Sequence, residues 1–213
     1  MRRGEDMIGA MRHLLGSILV CTLLGFTACT SSMSAPSPAI TGLVTTGARF
    51  VGTTDATWQV TCEPVASSGA PCPIGSLQFA ERADSGFAEW LVPPAGAAWI
   101  GMNAHGTLPA GVGDDQERYV YTYRLTFNVT GTPSTASVSL EWACDNYFHG
   151  WRLNGGTFQD VQSQNGQWRT LKSLTISAAN AMFAQGTNTV EFRIVGDGLT
   201  DGFLVAGIRG SVQ

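Results

Sequence analysis

Residues Ser139 to Gly155 read SLEWACDNYFHGWRLNG, and the fold is decided there. Val138, Leu140, Trp142 and Cys144 alternate with other residues, and Asp145-Asn146 breaks the run. Trp151 and Leu153 resume an apolar alternation, and Asn154-Gly155 closes it with a strong short hairpin signal. The spacing predicts a strand entering a sheet, an aromatic-rich turn, a second strand and a tight hairpin.

The same texture extends in both directions from Ile40 to the last residues. Tyr119 to Val129 is the longest alternation: Tyr119, Tyr121, Tyr123, Leu125, Phe127 and Val129 share one face, and Thr122, Arg124, Thr126 and Asn128 share the other. Trp58, Val60 and Cys62 define a strand from Thr57 to Cys62, and Val190, Phe192 and Ile194 one from Thr189 to Val195. Leu171 to Ser177 and Phe203 to Val212 are further strands, with short candidates at Glu89 to Val92 and Ala97 to Met102. Gly131-Thr-Pro-Ser marks a turn. Helical spacing appears only weakly, at Ala178 to Ala184. Numerous strands that turn every ten residues or so, without helices between them, predict an all-β, two-sheet antiparallel sandwich over residues 40–213.

Composition narrows the setting. Charged residues make up only 13% of the 213-residue chain, and its net charge of -4 comes with no basic cluster, which argues against a nucleic-acid partner. Residues 1–29 have the plan of an export signal. Arg2, Arg3, Arg12 and His13 precede an apolar run from Leu14 to Ala28, too short for the roughly 20 residues of a spanning helix. Phe26-Thr-Ala-Cys29 resembles a bacterial lipoprotein signal, in which the cysteine is lipidated; the departure is Phe26, where an aliphatic residue is usual. The other reading is an ordinary secretory signal with Cys29 incidental. Residues 30–39 (TSSMSAPSPA) form a flexible tether. The expected location is the bacterial cell envelope, with a lipid anchor at Cys29 as the link to a membrane.

Several segments together carry a family resemblance. Trp99-Ile100, Tyr121-Thr-Tyr-Arg-Leu-Thr-Phe127, Trp142-Ala-Cys-Asp-Asn146, Leu153-Asn-Gly155, Gly186-Thr-Asn-Thr-Val-Glu-Phe192 and Gly207-Ile-Arg209 follow in that order. The series resembles the galactose-binding-like jelly-roll domain of bacterial exported proteins, many of which carry PEP-CTERM sorting tails. It covers about residues 87–213, with 40–86 supplying the first strands. There are two departures: the last residues are Arg209-Gly-Ser-Val-Gln213 with no such tail, and Cys144 stands where a small residue such as Ala is common. The resemblance implies a jelly roll and little about activity, because such domains serve as glycan-binding modules, adhesive parts and spacers alike.

Candidate sites follow from the aromatic turn. Asp145, Asn146, Tyr147, His149 and Trp151 combine ring faces with carboxylate and amide groups, a combination suited to sugar rings and their hydroxyls. The competing reading has Phe148 and Trp151 in the core and Asp145-Asn146 bonding turn backbone. Solvent exposure of Tyr147 and Trp151, side by side, discriminates between the two. Asp114 and Asp115 in one loop, and Asp197 and Asp201 in another, are weak calcium candidates without a full calcium-loop pattern. No other cofactor is expected. With no metal-spaced His or Cys, no nucleophile motif and no phosphate-cradling loop, the chain reads as a non-catalytic glycan- or polysaccharide-binding protein. A structural or protein-interaction scaffold is the alternative, and a glycoside hydrolase the third reading.

In an oxidising compartment Cys62 and Cys72 can bridge the Pro/Gly/Ser-rich loop between them, adding roughly 3 kcal/mol on the chain-entropy model. Cys144, in phase with Trp142, is then a buried thiol. Non-reducing peptide mapping checks this: the Cys62 and Cys72 peptides should travel together, and Cys144 in the bridge would overturn the pairing.

Overall fold

Strand β6 (Tyr119–Val129) is the spine of the molecule. The computed structural model describes residues 39–65, 72, 76–83, 89–103, 119–161, 167–196 and 201–213. The signal segment, Cys29 and the tether up to residue 38 lie outside them. β6 pairs with β3 (Thr54–Pro64) on one side and β11 (Gly186–Gly196) on the other, and β11 pairs in turn with β8 (Tyr147–Leu153). Their registers align the apolar residues in rows. Trp58, Leu125, Val190 and Leu153 form one, and Val60, Tyr123, Phe192 and Trp151 the next. Cys62, Tyr121, Ile194 and Phe148 form the third, and every one of these side chains is buried.

The hydrogen-bonded order continues beyond this limb. It runs β10 (Lys172–Ser177), β7 (Ser137–Asp145), β12 (Gly202–Ser211), β5 (Ile100–Gly101), β4 (Gln78–Arg82), β3, β6, β11, β8 and β9 (Gln159–Asp160). β1 (Ile40–Thr41) and β2 (Phe50–Val51) pair with β6 and β3 off this path. All of these pairings are antiparallel.

The expected all-β class is present, but the two separate sheets are not: the short strands β5 and β4 keep the hydrogen bonding continuous from β12 to β3. The result is one curled, jelly-roll-like sheet whose limbs face each other across the core. Phe203 of β12 lies 6.0 Å from Trp58, 5.1 Å from Tyr123 and 5.4 Å from Phe192, ring centre to ring centre. Trp142 of β7 stacks on Phe148 of β8 at 4.2 Å. Consecutive strands β7 and β8 therefore lie on opposite limbs.

Two local expectations are corrected. Residues 89–92 form a turn and irregular chain instead of a strand, because Trp90 folds in against Trp99 with ring centres 4.4 Å apart. These two rings, with Ala83, Ala143 and Leu204, make a second small core, and a Cβ on Gly202 would lie 2.6 Å from the Trp90 ring. The strand over Ala97 to Met102 contracts to Ile100–Gly101. Residues 178–184, where helical spacing is weak, are turn and irregular chain; the Asn180 side chain accepts the Ser177 N–H at 2.8 Å and closes the turn after β10. The turn near Gly131 contains a short 3-10 segment, Pro133–Thr135.

Cys62 and Cys72 are disulfide-bonded with Cα atoms 5.9 Å apart. Cys144 is a buried free thiol whose pKa burial pushes well up, which makes it a poor nucleophile. Asp55, fully buried, accepts the N–H groups of Gly47, Thr57 and Trp58 and the Thr57 hydroxyl, so its carboxylate is well bonded.

The outer face of the β3–β6–β11–β8 limb is polar. One cross-strand row is Gln59, Arg124, Glu191 and Arg152. Arg124 Nε donates to Glu191 Oε1 at 2.9 Å and Arg152 Nε donates to Oε2. Burial of Glu191 raises its pKa, but the bonds and charges of the two arginines outweigh this and hold it below the ordinary value of 4.5. A lowered carboxylate pKa contributes stability above pH 4.5 that is lost as pH falls through the folded value. Thermal melts of wild type and Glu191→Gln between pH 7 and pH 3 should converge as pH falls, the variant starting lower and changing less. Parallel curves would remove Glu191 from the acid response.

Candidate functional site

The aromatic stretch forms strand β8 where a turn was expected. A regular strand would put Tyr147, His149 and Trp151 on one face, but β8 bulges. Gly150 pairs with Arg193 and Phe148 with Ile194, leaving His149 as the extra residue. The phase flips there. Phe148 and Trp151 both enter the core, at 0% and 4% exposure, while Tyr147 is half-buried opposite Val195 on the outer side. His149 is partly exposed, its Nε2 3.9 Å from Asp160. A Cβ at Gly150 would lie 2.4 Å from the Gln159 carbonyl oxygen, so only glycine lets β9 cross so close.

Asp145 and Asn146 are also buried. Asp145 accepts the Trp90 indole N–H at 2.8 Å, which ties the second core to the end of β7. Asp201 is buried and accepts the Tyr121 hydroxyl at 2.6 Å; burial and the adjacent carboxylate push the Tyr121 pKa far above its ordinary range. Gly202, next to Asp201, pairs with Asp145, so both acids reach one end of the sheet. Among the described residues no group of three or more His, Cys, Asp or Glu is arranged to hold a metal ion. Asp114, Asp115 and Asp197 lie outside the described residues.

The five expected ligand residues are thus not gathered into one solvent-facing site. Trp151 borders a cleft among the described residues, from beneath. β10 and β9 are the two ends of the sheet path, and the sheet does not close between them. In that seam lies a cleft of about 400 Å³. One wall is Trp151, Leu153, Gly156, Thr157 and Gln159; the other is the turn from Ala178 to Met182. Thr157, Gln159, Asn180 and Met182 are exposed at the rim, Met182 at 88%. No described lining residue carries a charge. Apolar surface with a few amide and hydroxyl groups matches a neutral polyol, whose C–H faces and hydroxyls make complementary demands.

Two asparagines hold the walls together. Asn154, at φ 51, begins the turn after β8 with Gly155 at φ 70. Its Nδ2 donates to Asn188 Oδ1 at 2.8 Å and to the Met182 carbonyl at 3.1 Å, and its Oδ1 accepts the Thr189 N–H at 2.9 Å. Asn188, 1% exposed, accepts the Ala184 N–H and donates to the carbonyls of Ala184 and Gly186. These are the asparagines of Leu153-Asn-Gly155 and Gly186-Thr-Asn188, so two separate sequence motifs meet beside the seam, and Asn154 reaches across it to Met182. The remaining cleft residues had no comparable signal, because Gln159 and Met182 meet only when the sheet curls.

No family model matches the chain, and no curated protein matches it. Among solved structures the chain is similar to TmCBM61, solved in complex with beta-1,4-galactotriose, at 12% identity and a TM-score of 0.34, over 74% of this chain and 90% of that one. It is also similar to CBM35 from Cellvibrio japonicus Abf62, at 17% identity and a TM-score of 0.31, over 72% of this chain and 96% of that one. A family 35 carbohydrate binding module from an environmental isolate is similar at 14% identity and a TM-score of 0.28, over 43% and 71% of the two chains. All three TM-scores are low, so the site is read from this chain's own residues.

Asn188→Ala strands three part-buried backbone groups and the Asn154 amide, and should cost about 1–3 kcal/mol in urea denaturation. A loss below about 0.5 kcal/mol, within the range of ordinary surface substitutions, would show that the pair does not brace the seam.

Proposed function

We propose that this chain is an exported, non-catalytic module that binds neutral carbohydrate in the seam cleft. The observation that carries this reading is the lining: Met182 and the alanines of the 178–181 turn supply apolar surface above the buried Trp151 and Leu153, Thr157 and Gln159 supply polar groups, and no described lining residue is charged. Glycoside hydrolysis needs two carboxylates flanking the bond, and this cleft presents none among its described lining residues. The apolar run from Leu14 to Ala28 supports export, and Cys29 after Ala28 supports a lipid anchor in a bacterial envelope.

The scaffold reading also has an observation in its favour. Phe148 and Trp151, the largest rings of the candidate turn, are spent on the core. By the exposure criterion, the site moves from the aromatic stretch to the seam, or there is no saccharide site.

Binding of the full chain to a panel of neutral oligosaccharides and envelope polysaccharides separates the two readings. Gln159→Ala and Met182→Ala alter exposed rim positions and should leave the melting temperature unchanged while weakening binding at least about tenfold, or 1.4 kcal/mol. No binding across the panel, or binding indifferent to both changes, would favour the scaffold.

A further inference from the structure

The outer face of the β6–β11–β8 limb gathers positive charge in a chain whose net charge is -4. Arg124, Arg152 and Arg193 project there from three neighbouring strands, beside the carboxylate of Glu191, with Asp160 on β9 opposite Gly150. Glu191 is taken by Arg124 and Arg152, and among the described residues Arg193 has no carboxylate partner. Instead Arg193 lies 4.0 Å from the centre of the Phe158 ring, with the Arg152 guanidinium 4.5 Å from the same ring. Its row neighbours are Thr122 on β6 and Gly150 at the bulge, where His149 is the inserted residue.

Two donor-capable nitrogens at this bulge are buried without a hydrogen-bonding partner: Arg193 Nε and His149 Nδ1. The nearest carboxylate described there, Asp160, is 3.9 Å from the other ring nitrogen of His149. An unpartnered Nε matters geometrically. Nε and one terminal nitrogen form the side-on fork of a guanidinium, and two parallel bonds from that fork fit the two oxygens of a carboxylate or phosphate. Phe158 holds the guanidinium plane, so little of its freedom remains to be lost on binding.

We infer that the Arg193–His149 bulge is an oxyanion-binding site, which takes a carboxylate or phosphate group carried by a polymer or a small ligand. It lies on the opposite face of β8 from the seam cleft, since Arg193 and Gly150 point outward where Trp151 and Leu153 point inward. The proposal goes beyond the neutral-carbohydrate reading and does not depend on it.

The test follows the Arg193 Nε–Hε resonance of the full wild-type chain while oligogalacturonate, inorganic phosphate or a neutral oligogalactoside is added. Oligogalacturonate should move the resonance, and calorimetry should show a fall of at least tenfold in affinity for Arg193→Gln and for Arg193→Lys, which keeps the charge and loses the fork. A shift with phosphate, in competition with oligogalacturonate, would support the same site with phosphate as a source of the oxyanion. Gln159→Ala should leave anion binding unchanged, so failure of the cleft reading is distinguishable from failure of this one. An unmoved resonance with both anions, or Arg193→Gln or Arg193→Lys binding like wild type, would overturn the inference. The resonance arm uses wild type, so it stands even if a variant fails to fold.

Discussion

The structure depends on burying an aromatic row from both sides. Tyr123, Phe192, Trp151, Phe148 and Trp58 lie on one face of a single limb, and a lone sheet leaves such a face in water. Phe203 and Trp142 on the opposite limb supply the missing cover, with Phe203 touching three of the rings and Trp142 stacked on a fourth. Each large ring removes a substantial apolar area from water, and ring pairs add a further contribution of order 0.5–1.5 kcal/mol. The curl of the sheet is what brings the two sets together. The short strands β5 and β4 allow it, since each makes only a few ladder bonds before the chain changes direction.

The same curl creates the seam. A curled sheet whose ends do not pair leaves a gap, and here the gap runs between the turn after β10 and the loop joining β8 to β9. Polar backbone near such a gap must be bonded or wetted. The Asn154–Asn188 pair serves several N–H and C=O groups at once and so fixes the width of the opening. The stability of the fold and the shape of the cleft are therefore linked through two side chains.

Buried acids follow a consistent rule. Asp55 receives backbone and hydroxyl donors, Asp145 an indole N–H, Asp201 a phenol, and Glu191 two guanidiniums. Desolvating a carboxylate is expensive, and each is met by donors, local ones for Asp55 and distant ones for Asp145, Asp201 and Glu191. These bonds pin loops to strands, and they give a structural use to Asp145 and Asp201, which the sequence offered as sugar and calcium candidates.

Period-2 alternation was enough to place β6, the cores of β3 and β11, and most of β7, β10 and β12, because inward phase is a local property of a strand. The buried Cys144 and the turn at Asn154-Gly155 were legible for the same reason. The facing of Tyr147 and Trp151 was not. It turns on one inserted residue at His149, for which the sequence carried only the isolated Gly150 as a sign. Trp90 read as a strand residue because its partners, Trp99 and Asp145, lie 9 and 55 positions away. Local chain chemistry determined which residues form strands and which face goes inward. Only the tertiary structure decided that the sheet is continuous, that its aromatic stretch belongs to the core, and where it opens, because those outcomes depend on distant side chains meeting across the curl.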